Sequence, residues 1–260
     1  HERAMLRTGR REAQGHLMSP VEPVPEAPTA IATLDGERAL VIADYHAGIE
    51  TELRYEGIEV DSRADERREE LLALIDETDV DRVIILGDLA HWIGEPIGAE
   101  LDEIQALVEA ITDRVPALLV KGNHDGEIED AIDIPVTDSS GVRIGDVGFV
   151  HGHTWPSEEV LQSEVVCVGH EHPAVSLEDE VGGRRVERVW LRGQLVPEAF
   201  DEVNGIDGEL VVFPAFNELV GRTWVNVEGQ GFLAPYLPEA LADAQTYLLD
   251  GTRLGPYATV

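Results

Sequence analysis

Ala117-Leu118-Leu119-Val120-Lys121-Gly122-Asn123-His124-Asp125 runs from an apolar stretch of strand length straight into a glycine and a cluster of polar side chains. Four apolar residues without alternation fit a strand covered on both faces. The glycine lets the chain turn sharply where the strand ends. Polar groups at that point lie where open α/β sheets carry their ligands, beyond the carboxyl ends of the strands. The same design recurs on both sides. Asp44-Tyr45-His46 follows Ala39–Ala43, and Gly87-Asp88 follows Arg82–Leu86. His151-Gly152-His153 follows Val147–Val150, and Gly169-His170-Glu171-His172 follows Val165–Val168.

Working outward, strand and helix signals alternate from Thr29. Thr29–Leu34 and Ala39–Ala43 read as a hairpin around Asp35-Gly36. Ser62–Thr78 is a polar helix with Leu71, Leu72, Leu74 and Ile75 on its inner face. Ala99–Ile111 places Leu101, Ile104, Leu107, Val108 and Ile111 at helical spacing. The order strand, helix, strand, helix, strand marks an α/β layer. After Gly141 the pattern changes to short strands: Val142–Ile144, Val147–Val150, Val165–Val168, Ala174–Leu177, Val186–Leu191 and Leu210–Phe213, with one helix candidate, Ser157–Gln162. This half reads as a second sheet, and one domain of two packed sheets spanning residues 18–260 is the simplest organisation. Residues 1–17 carry Arg3, Arg7, Arg10 and Arg11 ahead of Met18 and a proline-rich lead. They read as a leader or appended segment rather than a basic nucleic-acid arm.

The residue types at the strand ends suit metal chemistry. Carboxylate, imidazole and amide oxygen together hold divalent manganese, iron, zinc, nickel or cobalt. Asp-x-His and His-x-His project two side chains from the same side of an extended segment. A carboxylate between two such sites can bridge two ions, which then stabilise the attacking and leaving oxygens of an in-line displacement at phosphorus. Taken singly, each motif has an ordinary explanation. Asp-x-His is a common turn, and Asn-His-Asp can cap a helix. The conjunction at successive strand ends does not.

The series Asp44-x-His46, Gly87-Asp88, Gly122-Asn123-His124-Asp125, His151-Gly152 and Gly169-His170-x-His172 resembles the calcineurin-like metallophosphoesterases. The resemblance implies a four-layer αββα sandwich and a set of roles. Asp44, His46 and His172 would hold one metal, Asn123, His151 and His170 a second, and Asp88 would bridge them. His124 would face the phosphate and stabilise or protonate the leaving oxygen, with Asp125 orienting it. Two divalent ions are implied, manganese foremost. Many relatives carry Gly-Asp-x-x-Asp. Here the sequence reads Gly87-Asp88-Leu89-Ala90-His91, so His91 is expected as a hydrogen-bonder behind the ligands, as is His153. The stretches Ala43–Glu50, Phe213–Asn217 and Leu248–Gly255 further resemble archaeal phosphoesterases related to SbcD-type nucleases. Within that stretch Asn217 has two readings, a side chain facing the cleft or a turn-former. The implied activity is phosphodiester or nucleic-acid hydrolysis. Its alternatives are a small-molecule nucleotide or cyclic-nucleotide phosphoesterase and a metal-bound scaffold without catalysis. The complete ligand set with His124 argues against the scaffold. No protein partner is legible.

The chain has 52 acidic residues against 19 basic ones, a formal net charge of −33. Its single lysine is Lys121. This composition resembles that of salt-in halophilic archaea, where such a charge reflects the solvent and leaves nucleic acid open as a substrate. The lone Cys167 lies in an apolar run and cannot form an intramolecular disulfide. No apolar run approaches the roughly 18 residues of a membrane span, and the start has no apolar signal core, so a cytoplasmic protein is expected. Self-repulsion of like charge destabilises a compact state, and molar salt shortens the screening length to about 3 Å. The thermal midpoint should therefore rise strongly from low to molar KCl. A melting curve that is flat or falls with salt removes the halophile reading.

Overall fold

The computed structural model describes residues 19–178, 182–201, 203–227 and 231–260; residues 1–17, read above as a leader, and Met18 lie outside the described residues. The chain enters a first sheet through β1 (Val21–Pro23), β2 (Ala30–Leu34) and β3 (Glu37–Ile42). Gly36, at φ 95°, turns the β2–β3 hairpin as expected. Two helices, α1 (Ile49–Tyr55) and α2 (Ala64–Thr78), carry the chain over to β4 (Arg82–Ile85), parallel to β3. Then α3 (Gly98–Thr112) leads to β5 (Ala117–Val120), and β6 (Val136–Thr137) closes the edge. The order is β1-β2-β3-β4-β5-β6, with β3 to β6 parallel.

The second sheet takes the rest. Its strands are β7 (Val142–Ile144), β8 (Val147–Val150), β9 (Val165–Val168), β10 (Pro173–Glu178), β11 (Arg184–Leu195), β12 (Glu209–Val212) and β13 (Thr223–Trp224). They are ordered β13-β10-β11-β12-β9-β8-β7, and β14 (Leu241–Leu248) pairs with β11 and with β15 (Arg253–Pro256). The central strands β8, β9 and β12 are parallel. The sequence reading had β11 as Val186–Leu191. It runs twelve residues because β10 lies along its first half while β12 and β14 flank its second.

Strand periodicity divides the core. In β4 and just beyond it, Ile84 and Leu86 face the second sheet and pack with Phe149, Cys167, Trp190 and Phe213. Val83 and Ile85 face the other way, against Leu71 and Ile75 of α2 and Ile104, Leu107 and Ile111 of α3. In β9, Val165 and Cys167 point into the sandwich while Val166 and Val168 pack outward with Val160 and Leu161. The last two come from α4 (Glu158–Leu161), whose cap Ser157 accepts the Val160 amide at 3.4 Å. Strands covered on both faces have no reason to alternate, which is why they read as unbroken apolar runs. The expected layers are present, but α4 and loop segments form the cover over the second sheet, with no long helix there among the described residues.

Under the first sheet's helices lies a buried ion cluster. Arg67 of α2 donates to Glu50 of α1 at 2.9 Å and to Glu103 of α3 at 2.6 Å. The other Glu103 oxygen accepts the Gly48 amide at 2.9 Å, and the guanidinium sits 5.2 Å from the centre of the Tyr45 ring. One cation thus ties three helices to the loop after β3. Arg67→Met leaves two buried carboxylates uncompensated and should destabilise the fold by about 3–5 kcal/mol, with part recovered on adding Glu50→Gln and Glu103→Gln. Denaturant unfolding in molar KCl measures both, and a loss below about 1 kcal/mol would show that the cluster is not what joins the helices.

Candidate metal centre

Every strand-end motif arrives at one edge. The loops after β3, β4 and β5 bring Asp44, Asp88 and Asn123, and those after β8 and β9 bring His151 and His170. The turns are tight enough to force the backbone. Asp44, His46, Asp88, His170 and His172 all have positive φ, from 44° to 68°. Such conformations are uncommon away from glycine and cluster at functional sites. The adjoining glycines are sterically required. A Cβ on Gly87 would lie 2.4 Å from the His151 ring, and one on Gly122 would lie 2.3 Å from the Asp88 amide and carboxylate.

Asp44, His46 and His172 place ligand atoms within 4.8 Å of one another, as do Asp88, His151 and His170. Asn123 Oδ1 lies 3.1 Å from His151 Nε2, which is itself 3.2 Å from Asp88 Oδ2. His46 Nε2 lies 3.6 Å from the same Asp88 oxygen, so Asp88 stands between the two groups. The structure therefore brings together all seven residues expected as ligands.

The rings are oriented from behind. His151 Nδ1–H donates to the Leu86 carbonyl at 2.7 Å, and His172 Nδ1–H donates to the Gly221 carbonyl at 2.9 Å, turning both Nε2 atoms inward. His46 Nδ1 meets His91 Nδ1 at 3.1 Å, and His91 Nε2 contacts Glu52. His46 donating to His91, and His91 to Glu52, satisfies both rings and leaves His46 Nε2 free as a lone pair. Nε2 of His46 and of His172 are buried without a hydrogen-bond partner among the described residues. Buried polar atoms left in that state are costly. A divalent ion shared with the facing carboxylates would satisfy them, so the residues present fit a metal.

Electrostatics agree. Burial by itself pushes Asp88 and Asp44 up, but the neighbouring histidines outweigh it, and both carboxyls are held below their ordinary range. Burial disfavours charge on His151, yet Asp88 and then Asp44 lift it to about 9. His172 is likewise raised by Asp44 against burial. His46 falls to about 3 and His170 to about 4, in both cases chiefly through burial. The two carboxylates thus demand positive charge, which protons on His151 and His172 supply or a divalent ion would replace.

His124 borders this cluster. Its Nδ1 donates to the His91 carbonyl, its amide donates to Asp88 Oδ1 at 2.9 Å, and its Nε2 lies 4.0 Å from Asp88 Oδ2. Asp125 does not orient that ring, as the sequence reading had it. Its oxygens accept the amides of Asp88, Leu89, Ala90 and Gly122 at 2.8 to 3.1 Å, clipping the loops after β4 and β5 together. His153 packs near His151 and His170, with ring centres 5.4 and 6.2 Å away, and makes no hydrogen bond to either. Asn217 does not face the cleft: its Oδ1 accepts the Leu219 amide at 3.0 Å, as the turn-forming reading has it, and its Nδ2 also donates to the carbonyls of Tyr45 and His46 at 2.9 and 3.3 Å. Glu52 and Glu171 escaped the sequence reading. Glu171, between two candidate ligands, points away from them and accepts the amides of Leu233 and Ala234.

The family model for the calcineurin-like phosphoesterase superfamily domain matches residues 38–192. Among solved structures, the Pseudomonas putida nuclease MPE superposes with a TM-score of 0.51 at 21% identity, over 88% of this chain and 97% of that one. At that identity the likeness is one of fold. Yfce, a phosphoesterase from E. coli, matches with a TM-score of 0.38 at 17% identity, over 84% of this chain and 96% of that one. No curated protein matches in sequence.

Gly122→Ala tests the site's packing. The added methyl displaces Asp88 and should weaken divalent-ion binding by about 10- to 100-fold, the range for groups that orient ligands. Equilibrium dialysis with elemental analysis measures this, and unchanged affinity would place the ion elsewhere.

Proposed function

From the premise that this chain belongs to the calcineurin-like phosphoesterase superfamily, and is a metal-dependent phosphoester hydrolase, we propose that it is a phosphodiesterase or nuclease acting in nucleic-acid metabolism. The observation that carries the reading is His124, set at the mouth of the ligand cluster with its Nδ1 held by the His91 carbonyl and its Nε2 turned toward Asp88. A non-catalytic scaffold has no use for a ring so placed. In this reading Asp44, His46 and His172 hold one ion, Asn123, His151 and His170 the other, and Asp88 both, with manganese the preferred metal. Residues 18–260 act as one domain of a cytoplasmic, SbcD-related enzyme of the halophilic archaeal type, a reading supported by the 52 acidic residues and the single lysine. Among the described residues no helix is long and apolar enough to cross a membrane.

When bound, two such ions supply a water of lowered pKa and polarise the phosphoryl oxygens. The chain's own groups do the rest. Asp88 is pinned by the His124 amide on one oxygen, which fixes the other between His46 and His151. With Nδ1 keeping its hydrogen for the His91 carbonyl, His124 in its imidazolium form carries a second proton on Nε2, which it can give to the leaving oxygen, returning to the neutral ring. Asn123 adds an oxygen ligand without adding charge.

Bis(p-nitrophenyl) phosphate, p-nitrophenyl phosphate, nucleotides and labelled single- and double-stranded DNA should be compared in molar KCl with manganese. The diesters should turn over faster than the monoester; hydrolysis of monoesters alone overturns the diesterase reading. His124→Ala should keep the metals and lower turnover by about 10²–10⁴-fold, the range for a general acid. Loss of metal in that variant would reassign His124 as a ligand.

A further inference from the structure

Next to the ligand cluster, on the His91 side, the surface becomes apolar. Trp92 is 42% exposed, Ile93 76%, Ile97 72% and Tyr55 80%. The Tyr55 and Trp92 rings meet edge to face at 6.4 Å, and the four side chains line an open cavity of about 450 Å³. This volume is within the range of small-ligand sites.

Three observations bear on what it takes. The first is continuity with the site. Trp92 directly follows His91, whose ring meets His46 and whose carbonyl holds His124. The second is rigidity. The buried carboxylate of Glu100 accepts the amides of both His91 and Trp92, at 2.7 and 2.8 Å, so the Trp92 backbone is fixed to the first turn of α3. The third is charge. The charged residues lining the cavity are Glu95 and Glu100, with no lysine or arginine. Such a cavity repels phosphate and suits a flat, uncharged group. With the phosphate taken by the metal cluster, the flat group attached to it through a sugar is a nucleobase. A base inside a duplex is already stacked and paired, whereas a single strand offers its faces. Stacking also withstands the salt that weakens phosphate contacts.

We propose that the Tyr55–Trp92 shelf is a nucleobase subsite, on which a base flanking the scissile phosphodiester of single-stranded nucleic acid stacks against Trp92. The proposal rests on the diesterase reading above and names the substrate feature that reading leaves open. The probes are a thymidine dinucleotide and its two analogues in which one base is replaced by hydrogen. Trp92→Ala should lower kcat/KM for the dinucleotide by roughly 10- to 100-fold. It should change the rate on one of the analogues by less than about twofold, since stacking is the interaction removed. Trp92→Phe should restore most of the loss. Equal losses on all three substrates would show that Trp92 only supports His91, and no loss on any would show an idle surface; either overturns the subsite.

Anisotropy of labelled oligothymidylate and its abasic counterpart reads the same contact without turnover. It therefore separates failure of the subsite from failure of the diesterase reading. The base-bearing strand should bind the protein more tightly, and Trp92→Ala should erase the difference. Equal binding of the two strands, or a concentration-dependent dimer abolished by Trp92→Ala, overturns the proposal, the latter in favour of a self-association face.

Discussion

Two carboxylates, Asp44 and Asp88, are buried within reach of each other, and each makes the other's charge harder to hold. Much of the architecture near the C-terminal strand edge answers that repulsion. Imidazoles converge on the pair because they can carry a proton, lend a lone pair to a cation, or be fixed in one tautomer by a carbonyl behind them. Bringing them close requires left-handed backbone at five of the seven candidate ligands, a conformation that persists only when its surroundings over-determine it. The surroundings do so by one repeated device: a buried side-chain oxygen or amide gripping the backbone of a neighbouring loop. Asp125 grips the loops after β4 and β5, Asn217 the one after β3, Glu100 the His91 segment and Glu103 the Gly48 turn.

The two electrostatic regimes of the molecule are separate. The surface is acidic nearly throughout, its charges exposed and within reach of salt. Inside, carboxylates are countered by named partners a few ångströms away, Arg67 in the helix layer and histidines at the strand ends. Bulk ions screen the first set and hardly reach the second. A chain of this composition can therefore depend on salt for its fold while its site is governed by short-range contacts.

What the sequence discloses follows the same division. β5, β8 and β9 were legible to the residue because an apolar run covered on both faces has one meaning, and the polar residues after them are conspicuous against it; β7 was legible by alternation, with exposed Arg143 between Val142 and Ile144. α1 was missed: it spans two turns, and its Glu50, Glu52 and Arg54 look like surface charge. β13 and β6 have two residues each, too few for any period. Glu50, Glu52, Glu100, Glu103 and Glu171 share a deeper obscurity. Among 52 acids, a carboxylate that grips a loop cannot be told from one that meets solvent. The role of Asp125 was misread for a related reason. Adjacency to His124 in sequence suggested a bond to its ring, whereas the backbone turns the carboxylate back toward the amides of Asp88 to Ala90. Asn217 meets Tyr45 across 172 positions, and no local pattern records that.

Those separations have a kinetic meaning. The His170 amide reaches Asp44 across 126 positions, and the Asn217 clamp joins the ends of a still longer loop. Closing loops of this span is an entropic toll met before any contact rewards it, and topologies built on such pairings fold slowly. The candidate ligands span residues 44–172, so no short fragment of the chain carries the whole cluster. Cation affinity is then a property of the finished topology, and a cation that binds only the finished state draws the folding equilibrium toward it by mass action. Cation occupancy is in this sense a reporter on the integrity of the whole fold.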